Sequence, residues 1–230
     1  MRLVGWNANY NNHRRAFEEN VALLEPFKAD VLVICETAPP QPGDRAFFVG
    51  GTPGLAVVAR DGIQIEPHPM NDGAPPLFAG FRVAGPLTFD LLATWPVSRK
   101  GVPSYHEVLM AALERYADLW AAGRAVMLGD FNSSTRVSSQ KRSHPMFVQA
   151  AQDRGLVSAY HEQSGESHGE ESVPTYLHGN GAEFHLDYGF VTQPLVGAVQ
   201  CRIADEPRWF EIGDHRPIVL DIDEAALAAR

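Results

Sequence analysis

Short apolar runs that end in paired polar residues recur along this chain, and this pattern limits the folds open to it. The clearest run, AVML at residues 125–128, continues into GDFN at residues 129–132. A short run of large apolar residues is typical of a strand that is buried on both faces. Because side chains at positions i and i+2 of an extended chain share a face, Asp130 and Asn132 are predicted to point into the same space. Such a strand end is typical of a functional site, although a plain turn also accepts these residues.

Two strands in the N-terminal part are predicted to end in the same way. Residues 2–6 form a short apolar strand that leads to Asn7 and Asn9, which again stand two positions apart. The apolar stretch over residues 30–36 is predicted to be a buried strand, and its last residue is the carboxylate Glu36. Each of these strands therefore ends in side chains that suit a binding site.

The C-terminal part adds a histidine to the pattern. Residues 184–191 alternate strictly, so His185 and Asp187 are predicted to share the face opposite the aromatic side chains. The sequence GDHRP at residues 213–217 directly precedes a predicted strand over residues 218–222. Acidic and imidazole groups are thus expected at strand ends in this part of the chain as well.

Helices and further strands separate these motifs. A capping box at residues 104–107 predicts a helix that ends at Gly123. Helices are also predicted near residues 12–25 and 145–154, and residues 164–172 are predicted to be a mobile excursion rich in Gly, Ser and Glu. The remaining apolar segments are predicted strands, near residues 46–50, 54–60, 77–83, 87–95 and 196–203.

The order of these elements predicts the architecture. Each half of the chain has a strand, a helix, a buried strand that ends in an acid, and then mostly strands. Two similar halves of this kind are expected to pack sheet against sheet with helices outside, which gives an α/β fold, a four-layer α-β-β-α sandwich of mixed sheets. We see no linker long enough to separate two domains, so residues 1–230 are predicted to form one domain.

Charge and cysteine content exclude some classes of protein. The net charge of −9 argues against broad, sequence-independent binding to nucleic acid, although it leaves room for a local basic patch. Cys35 and Cys201 stand in apolar runs, which favours reduced core thiols and a cytoplasmic setting. We expect no signal peptide, no transmembrane segment and no membrane partner, and we expect a monomer.

Taken in order, the strand-end motifs resemble those of one enzyme superfamily. The chain is similar in motif order and spacing to the endonuclease/exonuclease/phosphatase superfamily, through Trp6-Asn7, Glu36, Gly129-Asp130-Phe131-Asn132, Leu186-Asp187-Tyr188 and Asp214-His215-Arg216-Pro217. That superfamily includes deoxyribonuclease I, exonuclease III and the inositol polyphosphate 5-phosphatases. The resemblance spans nearly the whole chain and implies a deoxyribonuclease I-like fold with metal-dependent cleavage of phosphate esters.

The resemblance also implies a metal site. Glu36 and the Asn7 carboxamide match the principal metal ligands of the superfamily, and Asp214 matches a further metal-associated acid. The implied cofactor is Mg²⁺ or Mn²⁺, because hard divalent cations take oxygen ligands. Such a metal would polarise the phosphoryl oxygen and neutralise the charge that develops in line.

Four further residues match the catalytic positions of the superfamily. Asp130 matches the residue that orients or deprotonates the attacking water, and Asn132 would hold a phosphate oxygen. Asp187 and His215 match an Asp–His pair in which the carboxylate fixes the imidazole. The resemblance implies that His215 contacts the scissile phosphate, as acid, base or charge stabiliser.

The chain departs from the superfamily pattern at Trp95. Many relatives carry a His or Tyr there that reaches the phosphate, whereas an indole offers one N–H donor and transfers no proton. Either that role is missing, or Arg99, Lys100, Tyr105 or His106 supplies it. The residues expected to contact substrate are therefore Asn9, which stands where some nucleases have an acid, and Trp95, Arg99, Lys100 and Tyr105.

A zinc site is not expected from the histidines. The spacings of His161, His168, His178 and His185 match no zinc-binding pattern, and no cysteine stands near them.

Three functional hypotheses remain. A metal-dependent nuclease acting on DNA or RNA is favoured by the complete set of site residues and by basic residues in loops after site strands, such as Arg136, Lys141 and Arg142. A phosphatase or phosphodiesterase for a small molecule or a lipid headgroup is favoured by the acidic charge and the short loops. A catalytically silent binding protein with the same fold is favoured only by Trp95.

Overall fold

Fourteen strands form within residues 1–98 and 103–228, which are the residues that the computed structural model describes. Their bounds are β1 Arg2–Asn7, β2 Val31–Thr37, β3 Ala46–Gly50, β4 Gly54–Ala59, β5 Gln64–Pro67, β6 Phe78–Ala84, β7 Phe89–Thr94, β8 Ala125–Asp130, β9 Leu156–Ser158, β10 Tyr176–Leu177, β11 Glu183–Phe184, β12 Asp187–Thr192, β13 Val199–Ile203 and β14 Ile218–Ile222.

Helices connect and cover these strands. The α-helices are α1 Tyr10–His13, α2 Phe17–Leu24, α3 Tyr105–Arg115, α4 Ala117–Ala121, α5 Ser143–Gln152, α6 Ala159–Ser164, α7 Arg208–Ile212 and α8 Glu224–Ala228, with short 3-10 turns at Glu25–Phe27, Pro69–Asn71, Ser138–Gln140 and Gln193–Leu195. No helix among the described residues has the length and apolar character that crossing a membrane requires.

The strands form two mixed six-stranded sheets, as the sequence predicted. The first sheet has the order β13-β14-β1-β2-β4-β3, and the second has the order β5-β6-β7-β8-β12-β9. In the first sheet β1 is parallel to β2 and antiparallel to β14. In the second sheet β8 is parallel to β7 and antiparallel to β12. Strands β10 and β11 form a separate two-stranded ribbon.

Three apolar clusters define the four layers. The largest lies between the sheets and includes Val33, Leu91 and Leu128. A second cluster packs α3, α4 and α5 on the outer face of the second sheet, and a third packs α2 and α7 on the outer face of the first. The continuous apolar runs of β2 and β8 are therefore buried, as the sequence predicted.

The structure differs from the sequence prediction at two helices. The helix expected near residues 12–25 is divided into α1 and α2, and Arg14 between them has a left-handed backbone with φ 54°. The helix from residue 105 breaks at Tyr116 into α3 and α4. Tyr116 is fully buried, and its hydroxyl donates to Asn71 Oδ1 at 2.8 Å, so a tertiary contact fixes the side chain at this break.

The strand expected over residues 184–191 is also interrupted. Strand β11 ends at Phe184 and β12 begins at Asp187, so the strict alternation does not hold across residues 185–186. Leu186 therefore lines a cavity and does not join the aromatic face of Tyr188, while His185 packs 4.9 Å from the Tyr188 ring. The prediction that His185 and Asp187 share a face is wrong, because His185 lies in the break between β11 and β12 and packs against Tyr188, whereas Asp187 bonds to His215.

The segment at residues 164–172 makes contacts that its composition did not indicate. Glu171 is 8% exposed, and its carboxylate accepts from the Gly169 N–H at 2.8 Å. The carbonyl of His168 accepts from the Thr135 hydroxyl at 3.0 Å. Polar residues in this segment thus make internal contacts, which a composition-based reading does not reveal.

Candidate active site

The strand directions bring the predicted site residues to one end of the sandwich. Because β1 and β2 are parallel neighbours, Asn7 and Glu36 reach the same edge of the first sheet. Parallel pairing of β7 and β8 likewise places Trp95, which follows β7, near Asp130 at the end of β8. Ligand sites commonly form at such carboxyl ends of strands.

Two antiparallel strands, β12 and β14, bring further side chains to the same end of the sandwich from the residues at or before their starts. Asp187, the first residue of β12, lies directly opposite Asp130 in the sheet register. The loop before β14 carries Asp214 and His215 to the same end because β14 runs antiparallel to β1. The indole N–H of Trp6 donates to the carbonyl of His215 at 3.1 Å and ties this loop to the first sheet.

A cavity of about 590 Å³ opens at this end of the sandwich. Its wall combines acidic, amide, aromatic and small residues, which are Asn7, Asn11, Glu36, Thr52, Pro53, Trp95, Val97, Ser98, Tyr105, Asn132, Tyr176, Leu186, Asp214 and His215.

Asp130 lies beneath the cavity and is held by amide donors. The Asn7 Nδ2 donates to Asp130 Oδ2 at 2.9 Å. The backbone N–H of Asn132 donates to Asp130 Oδ1 at 2.8 Å, and the Asn132 side-chain amide donates to Oδ2 at 3.0 Å. The predicted proximity of Asp130 and Asn132 is therefore seen, although Asn132 has a left-handed backbone with φ 49° and is not extended.

Burial makes Asp130 a weaker acid than usual. Removal from water disfavours its charge and Asp187 adds repulsion, while the His215 cation and the amide donors act in the opposite sense. The net effect raises the pKa of Asp130 to about 7. A carboxyl group with a pKa near neutrality is suited to exchange a proton with water.

Asp187 and His215 form the expected pair. The distance from His215 Nδ1 to Asp187 Oδ2 is 2.8 Å, and both residues are buried. The Thr175 hydroxyl accepts from the backbone N–H groups of Leu186 and Asp187 at 2.9 and 3.0 Å, which fixes the start of β12. Burial opposes a charge on His215, but the carboxylates of Asp187 and Asp130 outweigh it and raise the pKa of His215 to about 10.

Glu36, Asp214 and Asn7 present oxygen atoms at the cavity. Glu36 Oε1 accepts from Asn11 Nδ2 at 2.7 Å, and Glu36 adopts a left-handed backbone with φ 52°. Asp214 Oδ1 is buried and has no hydrogen-bond partner among the described residues. An unpaired buried carboxylate oxygen is costly, and a cation would satisfy it. Together with the side-chain Oδ1 of Asn7, which also accepts from the Asn9 backbone N–H at 2.9 Å, this donor set fits a hard divalent cation.

Gly129 stands where two strands approach each other closely. A Cβ built there would lie 2.0 Å from the Thr94 carbonyl oxygen of neighbouring strand β7. Its φ of +147° also disfavours other residues. Gly129 therefore allows β7 and β8 to approach each other directly before Asp130.

Only some of the residues predicted to contact substrate line the cavity. Trp95 and Tyr105 line the cavity, with Trp95 only 4% exposed as part of its wall. Asn9 is not among the lining residues, because its Oδ1 accepts from Asn12 Nδ2 at 2.9 Å in the turn of α1. Arg99 and Lys100 lie outside the described residues.

Sequence reasoning missed Tyr176 as a site residue. The ribbon of β10 and β11 carries it to the cavity, where its ring lies 4.7 Å from that of His215. An isolated β-bridge pairs these two residues. Burial and the nearby Asp214 raise the pKa of Tyr176, so its hydroxyl stays a hydrogen-bond donor at neutral pH. Only the apolar-polar pattern around residues 175–177 could have indicated it, and that signal is weak.

Comparison with solved structures identifies the fold. No protein-family model and no curated protein sequence matches the chain. The 3′ phosphatase NExo from Neisseria, bound to a product DNA hairpin, is similar with TM-score 0.74 and 20% identity over 97% of this chain and 99% of that chain. An AP endonuclease from Archaeoglobus fulgidus is similar with TM-score 0.68 and 18% identity over 97% and 99% of the two chains.

The endonuclease domain of TRAS1, a telomere-specific non-LTR retrotransposon, is similar with TM-score 0.70 and 17% identity over 97% of this chain and 98% of that domain. These likenesses extend over whole chains. The protein thus shares the fold of these proteins, a four-layer deoxyribonuclease I-like sandwich, as the sequence predicted.

Proposed function

We propose that this protein is a divalent-metal-dependent phosphoesterase that cleaves phosphodiester bonds in DNA. The observation that carries the proposal is the position of Asp130, with a pKa of about 7 and three amide hydrogen bonds, beside the Asp187–His215 pair. Catalytic groups of a hydrolase need an acid–base group and a stabiliser of negative charge in one place. Structures of similar fold come from proteins described as endonucleases and as a 3′ phosphatase bound to DNA.

Glu36, Asp214 and the side-chain Oδ1 of Asn7 would hold the metal, with Mg²⁺ or Mn²⁺ as the ion. A bound ion supplies Lewis-acid polarisation of the phosphoryl oxygen and neutralises developing charge. The unpaired Oδ1 of Asp214 supports this assignment.

Asp130 orients and deprotonates the attacking water. Asn7 and Asn132 fix its carboxylate from two sides, so the oxygen that receives the proton is held in place. The Asn132 amide also donates to the carbonyl of Pro96 at 3.2 Å. A phosphate oxygen would replace that carbonyl as acceptor, which allows Asn132 to hold substrate while it still contacts Asp130.

His215 stabilises negative charge on the phosphate. Asp187 binds Nδ1 and favours the cationic ring, which leaves Nε2 as a donor on a residue that lines the cavity. Tyr105 and Tyr176 offer further hydroxyl groups on the same wall. These phenols take the place of the His or Tyr that superfamily members carry at the position of Trp95.

A second candidate substrate is a phosphate monoester, either at a DNA 3′ end or on a small molecule. The observation that favours it is the cavity wall, because no described lining residue is Lys or Arg. A long nucleic acid gains most of its affinity from contacts between basic residues and phosphates. A monoester needs only the metal, His215 and the phenols.

A substrate panel tests both proposals. The purified chain is assayed with Mg²⁺ and with Mn²⁺ on duplex DNA containing an abasic site, 3′-phosphorylated DNA, intact duplex and single-stranded DNA, RNA and phosphorylated metabolites. Cleavage of DNA phosphodiesters that EDTA abolishes would support the first proposal, and release of phosphate from monoesters alone would support the second. Absence of turnover on every ester would favour a binding protein.

A further inference from the structure

A second group of metal-ligating side chains lies away from the cavity. It comprises His144, His161, His168, Glu171 and His185, and we call it the histidine cluster. The ligand atoms of His161, His168 and Glu171 all lie within 4.8 Å of one another. No member of the cluster lines the candidate active site. The rings of the four histidines surround Tyr188 at centroid distances of 4.9 to 6.1 Å.

Outer contacts fix the histidine rings in the way that metal ligands require. His185 Nδ1 lies 3.1 Å from the carbonyl of Val173, and a carbonyl only accepts, so Nδ1 carries the proton of the neutral ring. His161 Nδ1 lies 2.8 Å from the Ser158 hydroxyl. Metal-bound histidines almost always have their second nitrogen held by such a partner.

Two buried atoms of the cluster lack a partner. His185 Nε2 and Glu171 Oε2 are buried without a hydrogen bond among the described residues. His185 is 1% exposed and Glu171 is 8% exposed. The Nε2 atom is the unprotonated nitrogen of His185, so both atoms are bare acceptors. Buried acceptors without donors are uncommon in native proteins. A cation held by the group that includes Glu171 would satisfy Glu171 Oε2.

We propose that His161, His168 and Glu171 bind a divalent cation of the zinc class and so attach the segment at residues 165–172 to α6. Two imidazoles and one carboxylate are ligands that suit Zn²⁺, whereas Mg²⁺ and Ca²⁺ require oxygen donors throughout. The rings of His161 and His168 are stacked with a centroid distance of 3.6 Å. One ring must therefore turn when both nitrogens reach the same ion.

The sequence did not indicate this site for a clear reason. The zinc patterns that we compared with the chain use only histidine and cysteine at short spacing, whereas the third ligand here is Glu171. His178, which was grouped with the others by sequence, is exposed and bonds to Asn180. It therefore serves as a matched control, because its removal changes the histidine content without changing the cluster.

The test measures metal content and binding in the full-length protein. Wild type, Glu171→Gln, His168→Ala and His178→Ala are freed of metal with a chelator, exchanged into Zn²⁺ or Co²⁺, and analysed by mass spectrometry of the metal. Bound Co²⁺ also reports imidazole coordination through its visible absorption. We expect one tightly bound ion in wild type and in His178→Ala. Glu171→Gln and His168→Ala should bind about 100-fold more weakly, since even outer-shell changes cost about 10- to 100-fold.

Glu36→Gln distinguishes the cluster from the candidate active site, because it removes a proposed ligand there and leaves the cluster intact. Zinc retained by Glu36→Gln and lost by Glu171→Gln would support the proposal. Equal zinc binding by wild type and Glu171→Gln would overturn it, as would the absence of a bound ion in folded wild type. Circular dichroism shows whether each variant is folded, and Glu171→Gln keeps the side-chain volume in case His168→Ala is not.

Discussion

The protein buries two groups of histidines and carboxylates on opposite faces of β12, one in the candidate active site and one in the histidine cluster. The pKa values of their histidines are shifted in opposite directions. Asp187 faces the candidate active site, where two carboxylates raise the pKa of His215 to about 10. Tyr188, the next residue, points to the histidine cluster, where burial and neighbouring histidines lower the pKa of His144 to about 4 and that of His168 to about 3. Nearly the same residue types thus favour a cationic imidazole at His215 on one face of the strand and neutral imidazoles at His144 and His168 on the other. The number of carboxylates near each histidine determines whether its imidazole is cationic or neutral.

The largest effect is expected from removing the acid–base group of the first site. Asp130→Asn keeps the size of the side chain but cannot take a proton from water. Turnover with Mg²⁺ should fall on the order of 10³-fold, because general-base catalysis contributes about 10²- to 10⁴-fold. Steady-state kinetics on the best substrate of the panel measures this.

Asp153→Asn is the matched control, since Asp153 is exposed at the end of α5 and bonds only to Gln149 among the contacts of its side chain. It should keep wild-type turnover. An Asp130→Asn enzyme that retains more than a tenth of the activity would contradict the role given to Asp130.

The next largest effect is expected from substituting glycine. Gly129 lies beside the candidate active site, and Gly165 lies beside the histidine cluster. A Cβ on Gly129 would lie 2.0 Å from the Thr94 carbonyl, whereas one on Gly165, at the end of α6, would meet nothing within 4 Å. Both have positive φ, which alone costs about 1–2 kcal/mol for alanine. We expect Gly165→Ala to lower the free energy of unfolding by about 1 kcal/mol and Gly129→Ala by about 3 kcal/mol or more.

Urea unfolding measures the free energy of unfolding of both variants. Equal losses in Gly129→Ala and Gly165→Ala would show that the contact between residue 129 and β7 relaxes at little cost. Gly129→Ala should also lower turnover, because the displaced backbone carries Asp130. Gly165→Ala should not, since it lies away from the cavity.

These two regions also show what the sequence could and could not predict. Strand ends follow from local patterns, so Asn7, Glu36 and Asp130 could be predicted as strand-end residues, and the resemblance in motif order implied that they share one site. The break between β11 and β12 at residues 185–186 ends the alternation that predicted His185 beside Asp187. Tyr176 and the histidine cluster depend on contacts between distant segments, which no local period encodes. Glu171 was hidden in a segment whose composition is typical of loops.

Acidification should change the contributions of His144 and His215 to the free energy of unfolding in different ways. In the unfolded chain a histidine takes up its proton near pH 6.5, whereas folded His144 stays neutral to about pH 4 because it is buried. Below about pH 6.5 the unfolded state binds more protons, so the free energy of unfolding falls, by roughly 3 kcal/mol for His144 at pH 4. The pKa of His215 is raised to about 10, so its contribution is complete below about pH 6.5 and is lost only as the pH rises through 10.

Urea unfolding in the presence of chelator at about pH 7.5, 6 and 4.5 measures this slope without bound metal. His144→Asn should reduce the loss of stability in acid, while His178→Asn should not. A wild-type protein whose stability is flat over this range would show that the cluster is charged when folded, and the contrast with His215 would then disappear.

The smallest effect is expected on the Mg²⁺ requirement of the candidate active site, which distinguishes its ion from the one proposed at the histidine cluster. Glu36→Gln keeps the hydrogen-bond acceptor for Asn11 but removes the charge that would hold Mg²⁺ at the cavity. We expect the Mg²⁺ concentration for half-maximal activity to rise about 10- to 100-fold, with turnover partly restored at saturating metal. Titration of activity against Mg²⁺ measures this, and Glu66→Gln, an exposed substitution on β5, is the control. If Glu36→Gln shows an unchanged Mg²⁺ requirement, the ion is held by other oxygens, and Asp214 with its unpaired Oδ1 becomes the first residue to test.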